Sequence, residues 1–183
     1  MRGMTLLALA LAGFAAGAAM PDASDFTRLR LDYARTPGAI LSWVVSDERK
    51  ALLDTYPIDK KKFVEAGAKW LGKCPVDAKV QLMMGAAMSE LGRAREAVGY
   101  RYQFYGLMRS IVGDSDGLTR ATAFKVISVD EEYSVCNFLG AEVKGQRLEG
   151  SVDVLAVEVK GEKKELFFDA SIPLKAANDS LAK

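Results

Sequence analysis

The chain has 183 residues, half of them apolar, with 25 basic and 24 acidic side chains and no histidine. Without histidine it cannot form a Ser-His-Asp triad, a Cys-His pair or a histidine-containing zinc site, which excludes much common hydrolase chemistry. The near-zero net charge creates no overall field that would collect polyanions, so nucleic acid is not an expected partner.

The first predicted element is a cleavable secretory signal peptide, residues 1–18. Arg2 supplies the positive start, residues 6–14 form a short apolar run, and Ala16-Gly17-Ala18 fits the small-x-small rule of signal peptidase. The run is shorter than the roughly 20 apolar residues that a membrane-spanning helix needs, so a stable membrane anchor is the less favoured alternative. We expect the mature chain, residues 19–183, to be periplasmic or secreted.

Helical periodicity dominates the first half of the mature chain. Residues 22–25 can cap a helix that begins near Phe26 and ends at Thr36-Pro37-Gly38. Residues 40–45 fit a helix or a strand equally well, and a short helix is predicted for residues 50–54. Longer helices are predicted for residues 59–72, 78–91 and 93–111, followed by a loop at residues 113–117.

After this loop the apolar period changes to that of strands, which are predicted for residues 121–129, 142–148, 151–159 and 164–172. A short helix at residues 130–139 carries Glu131 and Glu132, which we expect to serve free backbone N–H groups of the first turn. The tail from Ala176 is expected to fray. The order predicts one α+β domain, with helices from about residue 25 to 112 packed on a small, mainly antiparallel sheet at about residues 120–173.

The two cysteines, Cys74 and Cys136, allow two interpretations. In an oxidising compartment they could form a disulfide, which would stabilise the fold by roughly 4 kcal/mol in the chain-entropy model. Alternatively they are separate buried thiols that act as small apolar side chains, and the apolar neighbours of Cys136 suit this second interpretation.

The middle helices resemble a tetratricopeptide helix pair. Pro75, Gly85, Gly92 and Ala97 fall at the offsets of its turn proline, small helix-A residue, inter-helix glycine and helix-B alanine. Arg101 stands where an aromatic residue is expected, and one repeat is evident where a solenoid needs about three. An ordinary helical hairpin is an equal alternative.

A wider resemblance covers some 140 residues. Its motifs are Phe26-x-x-Leu29-Arg30-x-x-Tyr33, Gly106-Leu107-Met108-Arg109-Ser110-Ile111, Gly113-Asp114, Thr122-Ala123-Phe124, Glu131-Glu132-Tyr133, Gln146-x-Leu148, Asp153-Val154-Leu155 and Phe167-Phe168-Asp169. In this combination the chain is similar to the bacterial family named domain of unknown function 4919. The resemblance implies histidine in the middle helices and just before the Asp-Val strand, where this chain has Ser151-Val152. Any histidine-based activity of the family is therefore not expected here.

Asp114-x-Asp116-Gly117 matches the start of an EF-hand calcium loop. The full loop needs a glutamate at its twelfth position, which here is Lys125, so the motif fails. We interpret these residues as a polar turn between helix and strand and predict no metal site.

Asp153 and Asp169 each interrupt an apolar strand, and the hairpin register decides whether they meet. A three-residue loop at 160–162 would place the two carboxylates opposite each other, where they could share a proton and act as an acid–base pair. A two-residue loop, Gly161-Glu162, would place Asp153 opposite Ala170. We favour the second register because it separates apolar from polar faces better, although it sets Glu158 opposite Glu165.

The helix at residues 93–111 is a candidate contact surface, because tyrosine and arginine are enriched at protein interfaces. The candidate binding residues are Arg101, Tyr102, Tyr105 and Arg109, together with Asp114 and Asp116 of the following turn.

These observations favour an exported, non-enzymatic domain that binds another protein and needs no cofactor. A specific version is an immunity protein that neutralises a toxin or effector delivered into the periplasm. The alternative from a different class is an acid–base hydrolase acting on a periplasmic or cell-wall substrate through Asp153 and Asp169. A third interpretation, a small-ligand carrier, requires a sizeable apolar pocket.

Overall fold

The computed structural model describes residues 22–181, so the predicted signal peptide lies outside the described residues. The described chain forms two compact units, an N-terminal unit of residues 22–107 and a C-terminal unit of residues 108–181. Helices make up the first unit and a four-stranded sheet belongs to the second, which confirms the α+β class. None of the described helices combines the length and apolar character needed to cross a membrane. The assignment of residues 19–183 to one domain stays a prediction.

The N-terminal helices begin where the sequence places short polar side chains. Asp22, Ser46, Asp59 and Asp77 each accept a backbone N–H of the first turn that follows, which satisfies donors that the helix itself leaves unpaired. The helices are α1 (Ala23–Arg35), α2 (Ala39–Val44), α3 (Asp47–Thr55), α4 (Lys60–Lys73), α5 (Ala78–Glu90) and α6 (Ala94–Val112), the last of which continues into the C-terminal unit. The segment at residues 40–45, open from sequence, is therefore mostly helix.

Two glycines let helices of the N-terminal unit approach closely. A Cβ atom built on Gly67 of α4 would lie 2.6 Å from the Met84 sulfur of α5, and one built on Gly106 of α6 would overlap the Phe26 ring of α1. Both glycines and both neighbouring side chains are buried. Because protein interiors are packed at crystal-like density, there is no space for a Cβ atom at either position, and glycine is required for the close contact.

Gly106→Ala is expected to lower the free energy of unfolding by about 1–3 kcal/mol, because overpacking outweighs the gain in helix propensity. Gly99→Ala is the matched control on the same helix, since nothing lies within 4 Å of a Cβ atom built there. It should raise stability by about 0.5–1 kcal/mol. Urea unfolding of both variants measures the difference, and equal effects at the two positions would contradict the close contact with Phe26.

A buried polar network around Asp77 joins three helices of the N-terminal unit. The Asp77 carboxylate accepts Arg49 Nε of α3 at 2.6 Å and Trp70 Nε1 of α4 at 2.9 Å. It also accepts the Val80 backbone N–H at 3.2 Å, which caps α5. Asp77 is fully buried and Arg49 nearly so. One carboxylate thus fixes the start of α5 against both preceding helices.

The C-terminal unit differs from the sequence prediction at its first strand and at its tail. Its elements are a 3-10 turn (Arg120–Thr122), β1 (Phe124–Lys125), α7 (Val129–Phe138), β2 (Glu142–Glu149), β3 (Val152–Val159), β4 (Glu162–Asp169) and α8 (Ser171–Leu181). The strand predicted for residues 121–129 is only two residues long, because Thr119 caps the 3-10 turn and Ser128 caps α7. The tail expected to fray from Ala176 is helical, and Asp169 accepts the Ser171 N–H at its start.

The sheet has the strand order β1-β4-β3-β2. The pair β1–β4 is parallel and the other two pairs are antiparallel, so the sheet is mainly antiparallel as predicted. β2 lies at an edge, also as predicted, and its pairing with β3 is irregular between Val143 and Gly145. Phe124, Leu155, Leu166 and Phe168 are buried on the sheet and form much of the core of this unit.

The register of the β3–β4 hairpin matches neither predicted loop. Val159 pairs with Glu162, so the two loop residues are Lys160 and Gly161. Both have positive φ, +51° and +80°, as in the tight hairpin turns whose twist matches that of the strands. This register also sets Glu158 opposite Lys163, which removes the like-charge pair of the favoured prediction. The observed register differs from the favoured prediction by two residues. Because side chains alternate between the two faces of a strand, every side chain lies on the face predicted for it.

The cysteines follow the second of the two interpretations. Cys74 and Cys136 are both buried and free. Burial raises the pKa of each thiol to about 12, so both remain protonated and act as small apolar side chains near neutral pH.

Candidate functional site

Helix α6 presents an apolar–basic strip on the N-terminal unit, which we call the α6 surface and define as Arg95, Val98, Arg101 and Tyr102. Arg95 and Arg101 lie three residues from Val98 and Tyr102 lies four residues from it, so all three are neighbours of Val98 on the helix. Val98 is 47% exposed and Tyr102 36% exposed. The predicted residues Arg101 and Tyr102 thus lie at the surface, whereas predicted Tyr105 is half-buried, with its ring centre 5.5 Å from that of Phe104.

Two contacts hold the side chains of the α6 surface in place. The Tyr102 ring lies 6.0 Å from the Phe26 ring at an angle of 60°, a favourable tilted arrangement. Arg101 Nη2 donates to the Ser89 hydroxyl of α5 at 2.7 Å. Since a hydroxyl is neutral, this bond fixes the guanidinium without cancelling its charge.

The remaining predicted binding residues belong to the C-terminal unit. Arg109 is half-buried in the last turn of α6, and Asp114 is exposed in the loop that follows. Asp116 accepts the Leu118 backbone N–H at 3.0 Å. Its pKa is lowered by hydrogen bonds, first from the Thr122 side chain and then from Leu118.

This segment is a polar turn, as predicted. Gly117 has φ +64°, and a Cβ atom built there would overlap the Phe124 ring. Among residues 22–181 no group of three or more histidine, cysteine, aspartate or glutamate side chains could hold a metal ion.

The acid–base pair considered from sequence is not formed in the hairpin. Asp153 pairs with Phe168, and Asp169 pairs with Val152. Directly opposite residues share a face and successive residues alternate, so Asp153 and Asp169 lie on opposite faces of the sheet. The alternative register that would have set them opposite each other is not the one observed, because the turn falls at Lys160-Gly161.

The charge of Asp153 acts instead on the carboxyl group of Glu132 on α7, which strand alternation does not relate to Asp153. Glu132 is 0% exposed and Asp153 5% exposed. Both Glu132 carboxylate oxygens and Asp153 Oδ1 are buried without a hydrogen-bond donor from the described residues. Two ionised carboxylates can only accept, so these groups can bond to each other only when one carries a proton.

Burial and neighbouring acids favour that proton. The pKa of Glu132 is raised to about 8, first by burial and then by the charge of Asp153, its hydrogen bond and the charge of Glu131. Glu132 is therefore mainly protonated at neutral pH and can donate to Asp153. Its neighbour Glu131 does accept a backbone N–H, that of Ile127 just before the helix, at 2.8 Å. Glu132 accepts none from the described residues, so the predicted role in the first turn is wrong for Glu132.

A chain of hydrogen bonds leads from this pair to the surface. Gln146 Nε2 on β2 donates to Asp153 Oδ2. Gln146 Oε1 accepts the Tyr133 hydroxyl of α7 at 2.8 Å. Tyr133 and Gln146 are both exposed. We call Glu132, Asp153, Gln146 and Tyr133 the carboxyl chain; it ties two consecutive residues of α7 to two strands.

In the N-terminal unit α3 and α4 border an open groove of about 410 Å³. Leu52 and Trp70 form its apolar floor beside Ala51 and Ala66, and the walls carry both acidic and basic side chains. The mixed charge gives the groove no preference for a ligand of one sign.

Comparison with known proteins gives one match. The family described as Domain of unknown function (DUF4919) matches residues 41–179, three quarters of the chain. The chain belongs to this family. No curated protein and no solved structure matches the chain. The tetratricopeptide interpretation is not confirmed, although a Cβ atom on Gly85 of α5 would lie 3.5 Å from the Ala97 carbonyl of α6, so this helix pair does approach closely.

The stretch matched to DUF4919 contains the whole α6 surface and the whole carboxyl chain. The four residues of the carboxyl chain stand in motifs that carried the resemblance from sequence, Glu131-Glu132-Tyr133, Gln146-x-Leu148 and Asp153-Val154-Leu155. The structure thus joins three motifs that lie apart in the sequence. The cluster could not be predicted from strand alternation, which relates Asp153 only to residues of its own hairpin and not to a helix.

Proposed function

We propose that this DUF4919 chain is an exported, non-enzymatic domain that binds another protein, and that the α6 surface makes the contact. One observation carries the proposal: Val98 and Tyr102 stand exposed one helical turn apart, flanked by the cations Arg95 and Arg101. Together with tryptophan, tyrosine and arginine are enriched among the few residues that dominate binding energy.

The fixed geometry of these side chains supports the proposal. Binding costs about 0.5–1.5 kcal/mol for each rotamer-rich side chain that becomes ordered. The Tyr102 ring already rests on Phe26, and Arg101 is already bonded to Ser89. Much of the free energy of ordering these side chains is therefore already spent in the unbound protein.

The charge of the α6 surface indicates the chemistry of the partner. Arg95 and Arg101 form no ion pair with an acidic side chain of the described residues. An acidic surface with an apolar centre is complementary to this arrangement. The more specific proposal is an immunity protein, in which such a surface belongs to a toxin or effector delivered into the periplasm.

The burial of Glu132 and Asp153 supports binding over turnover. A general acid has to come within hydrogen-bond distance of the substrate atom that it protonates. Glu132 has no exposed surface and Asp153 very little, so neither presents its carboxyl group to a substrate in this conformation.

The test is site-specific cross-linking in the producing cell, with a photoreactive amino acid at position 102 and, as the control, at position 58. Ile58 is apolar and 84% exposed in the same unit but lies outside the α6 surface. We expect one discrete adduct from position 102 and none from position 58. Equal labelling at both positions, or at neither, would contradict the proposed surface.

Once the partner is purified, Val98→Glu should weaken binding at least about tenfold, since it adds a charge at the apolar centre and opposes an acidic partner. Ile58→Glu is the matched control and should leave the affinity unchanged. Both positions are exposed, so both variants should unfold at the urea concentration of the parent chain.

Export is tested by cell fractionation and N-terminal sequencing, which should find a periplasmic chain that begins at Ala19. A retained chain beginning at Met1 would contradict it.

A further inference from the structure

The carboxyl chain has a feature that protein binding through α6 does not use. It places a buried, unpartnered Glu132 against Asp153 and links this pair through Gln146 to the exposed Tyr133. Both ends of the chain belong to the first half of α7, while the middle belongs to β2 and β3. A change in the interaction between the two carboxyl groups therefore acts on the attachment of α7 to the sheet.

The groups around Glu132 set how this attachment responds to pH. Asp153 of β3 and Glu131 of α7 raise the pKa of Glu132, and the charge of Glu132 raises in turn the pKa of Tyr133 and Cys136 of α7. Every one of them is neutral or negative, so none can balance a charge on Glu132. The residue opposite Asp153 on β4 is Phe168, which is fully buried.

Loss of the shared proton changes the interaction from attraction to repulsion. With the proton present, Glu132 can donate to Asp153. Asp153 also accepts from Gln146. Without it, two negative carboxylates face each other in an apolar environment, which is unfavourable both by desolvation and by charge. Outward movement of the first turns of α7, where Val129 and Tyr133 are exposed, would relieve this repulsion.

We propose that Glu132 and Asp153 form a proton-dependent latch that holds α7 on the sheet, and that alkaline conditions open it. The hydrogen bond from Tyr133 to Gln146 is the outer part of this latch. The latch opens at alkaline pH and closes at neutral or acidic pH. A histidine switch changes its charge when the pH falls instead, and this chain has no histidine. The α6 surface has no role in the latch.

Amide hydrogen exchange of the full mature chain tests the latch, with protection factors corrected for the intrinsic rate at each pH. Between pH 6 and pH 9 the protection of α7 should fall about tenfold or more, as expected for a group that titrates in this range. Protection of α5 in the N-terminal unit should stay constant over the same interval and serves as the internal control.

Two variants distinguish the latch from other causes. In Glu132→Gln the side chain cannot ionise and its amide can still donate to Asp153, so protection of α7 should be independent of pH. In Tyr133→Phe the outer link is absent, so α7 should be less protected already at pH 6 and still respond to pH. An equal fall in the parent chain and in Glu132→Gln would overturn the proposal, and so would constant protection of α7 in the parent chain up to pH 9. Neither result depends on whether the α6 surface binds a partner.

Discussion

Asp77→Ala is expected to lower the free energy of unfolding by about 3–5 kcal/mol, the usual cost of removing one partner of a buried ion pair. The change removes the Asp77 carboxylate from Arg49, the hydrogen-bond acceptor from Trp70 Nε1 and the N-terminal cap from α5. Since domains of this size are stable by about 5–15 kcal/mol, much of the stability would be lost. Urea unfolding monitored by tryptophan fluorescence measures it, because Trp70 is part of the network.

The matched control for Asp77 is a surface ion pair of similar length. Lys73 Nζ lies 2.7 Å from Glu48 Oε2, and both side chains are exposed. Glu48→Ala should therefore cost less than about 1 kcal/mol. A double variant, Arg49→Met with Asp77→Asn, should lose less than the two single changes together, because no uncompensated charge stays buried. Additive losses would show that the two charges are not coupled.

Glu132→Gln is expected to stabilise the protein at pH 8 and to flatten its dependence on pH. The pKa of Glu132 is raised from 4.5 to about 8 in the folded protein. Between these values the native state binds a proton that the unfolded state has lost, so the stability of the parent chain falls as pH rises through this window. Below the window this stabilising contribution is fully present, and above about pH 8 it has been lost.

The size of this effect follows from the width of the window. Each pH unit of displacement corresponds to about 1.4 kcal/mol, so the variant should exceed the parent chain at pH 8 by a few kcal/mol. Urea unfolding at pH 5, 6.5 and 8 measures both slopes. Glu142→Gln, at an exposed position of β2, should leave the slope of the parent chain unchanged. A parent chain whose stability does not fall over this interval would refute the raised pKa.

Local signals in the sequence predict most of the helices correctly. Asp59 and Asp77 are capping residues by type and by position, and the apolar period between them gives α4 to within about one residue at each end. The strand predicted for residues 121–129 is wrong over most of its length because a local capping signal was not taken into account. Ser128 interrupts its alternation as a cap for α7, and Ser128-x-x-Glu131 is the spacing of a capping box, a signal that the residues themselves contain.

Tertiary partners were harder to predict than elements. Alternation assigns Leu155 and Phe168 to one face of the hairpin, and a slip of two residues leaves that assignment intact. The register itself depends on Lys160 adopting positive φ, which is uncommon outside glycine. The pairing of Asp153 with Glu132 depends in turn on how a helix lies on the strand. The sequence does contain a signal for a polar partner of Asp153, because Asp153 stands at a core-facing position of a strand whose other core-facing residues are apolar.

The irregular pairing of β2 has a consequence for the behaviour of the protein at high concentration. An outermost strand exposes unpaired backbone groups that can recruit further chains into aggregates. Here the break between Val143 and Gly145 leaves Lys144 out of the ladder, and its ammonium group is held among Glu142 and Glu158. A neighbouring chain would have to pair with an irregular strand edge and desolvate these charged side chains. We expect that deleting Lys144 would make the pairing of β2 regular and lower the solubility of the chain at high concentration.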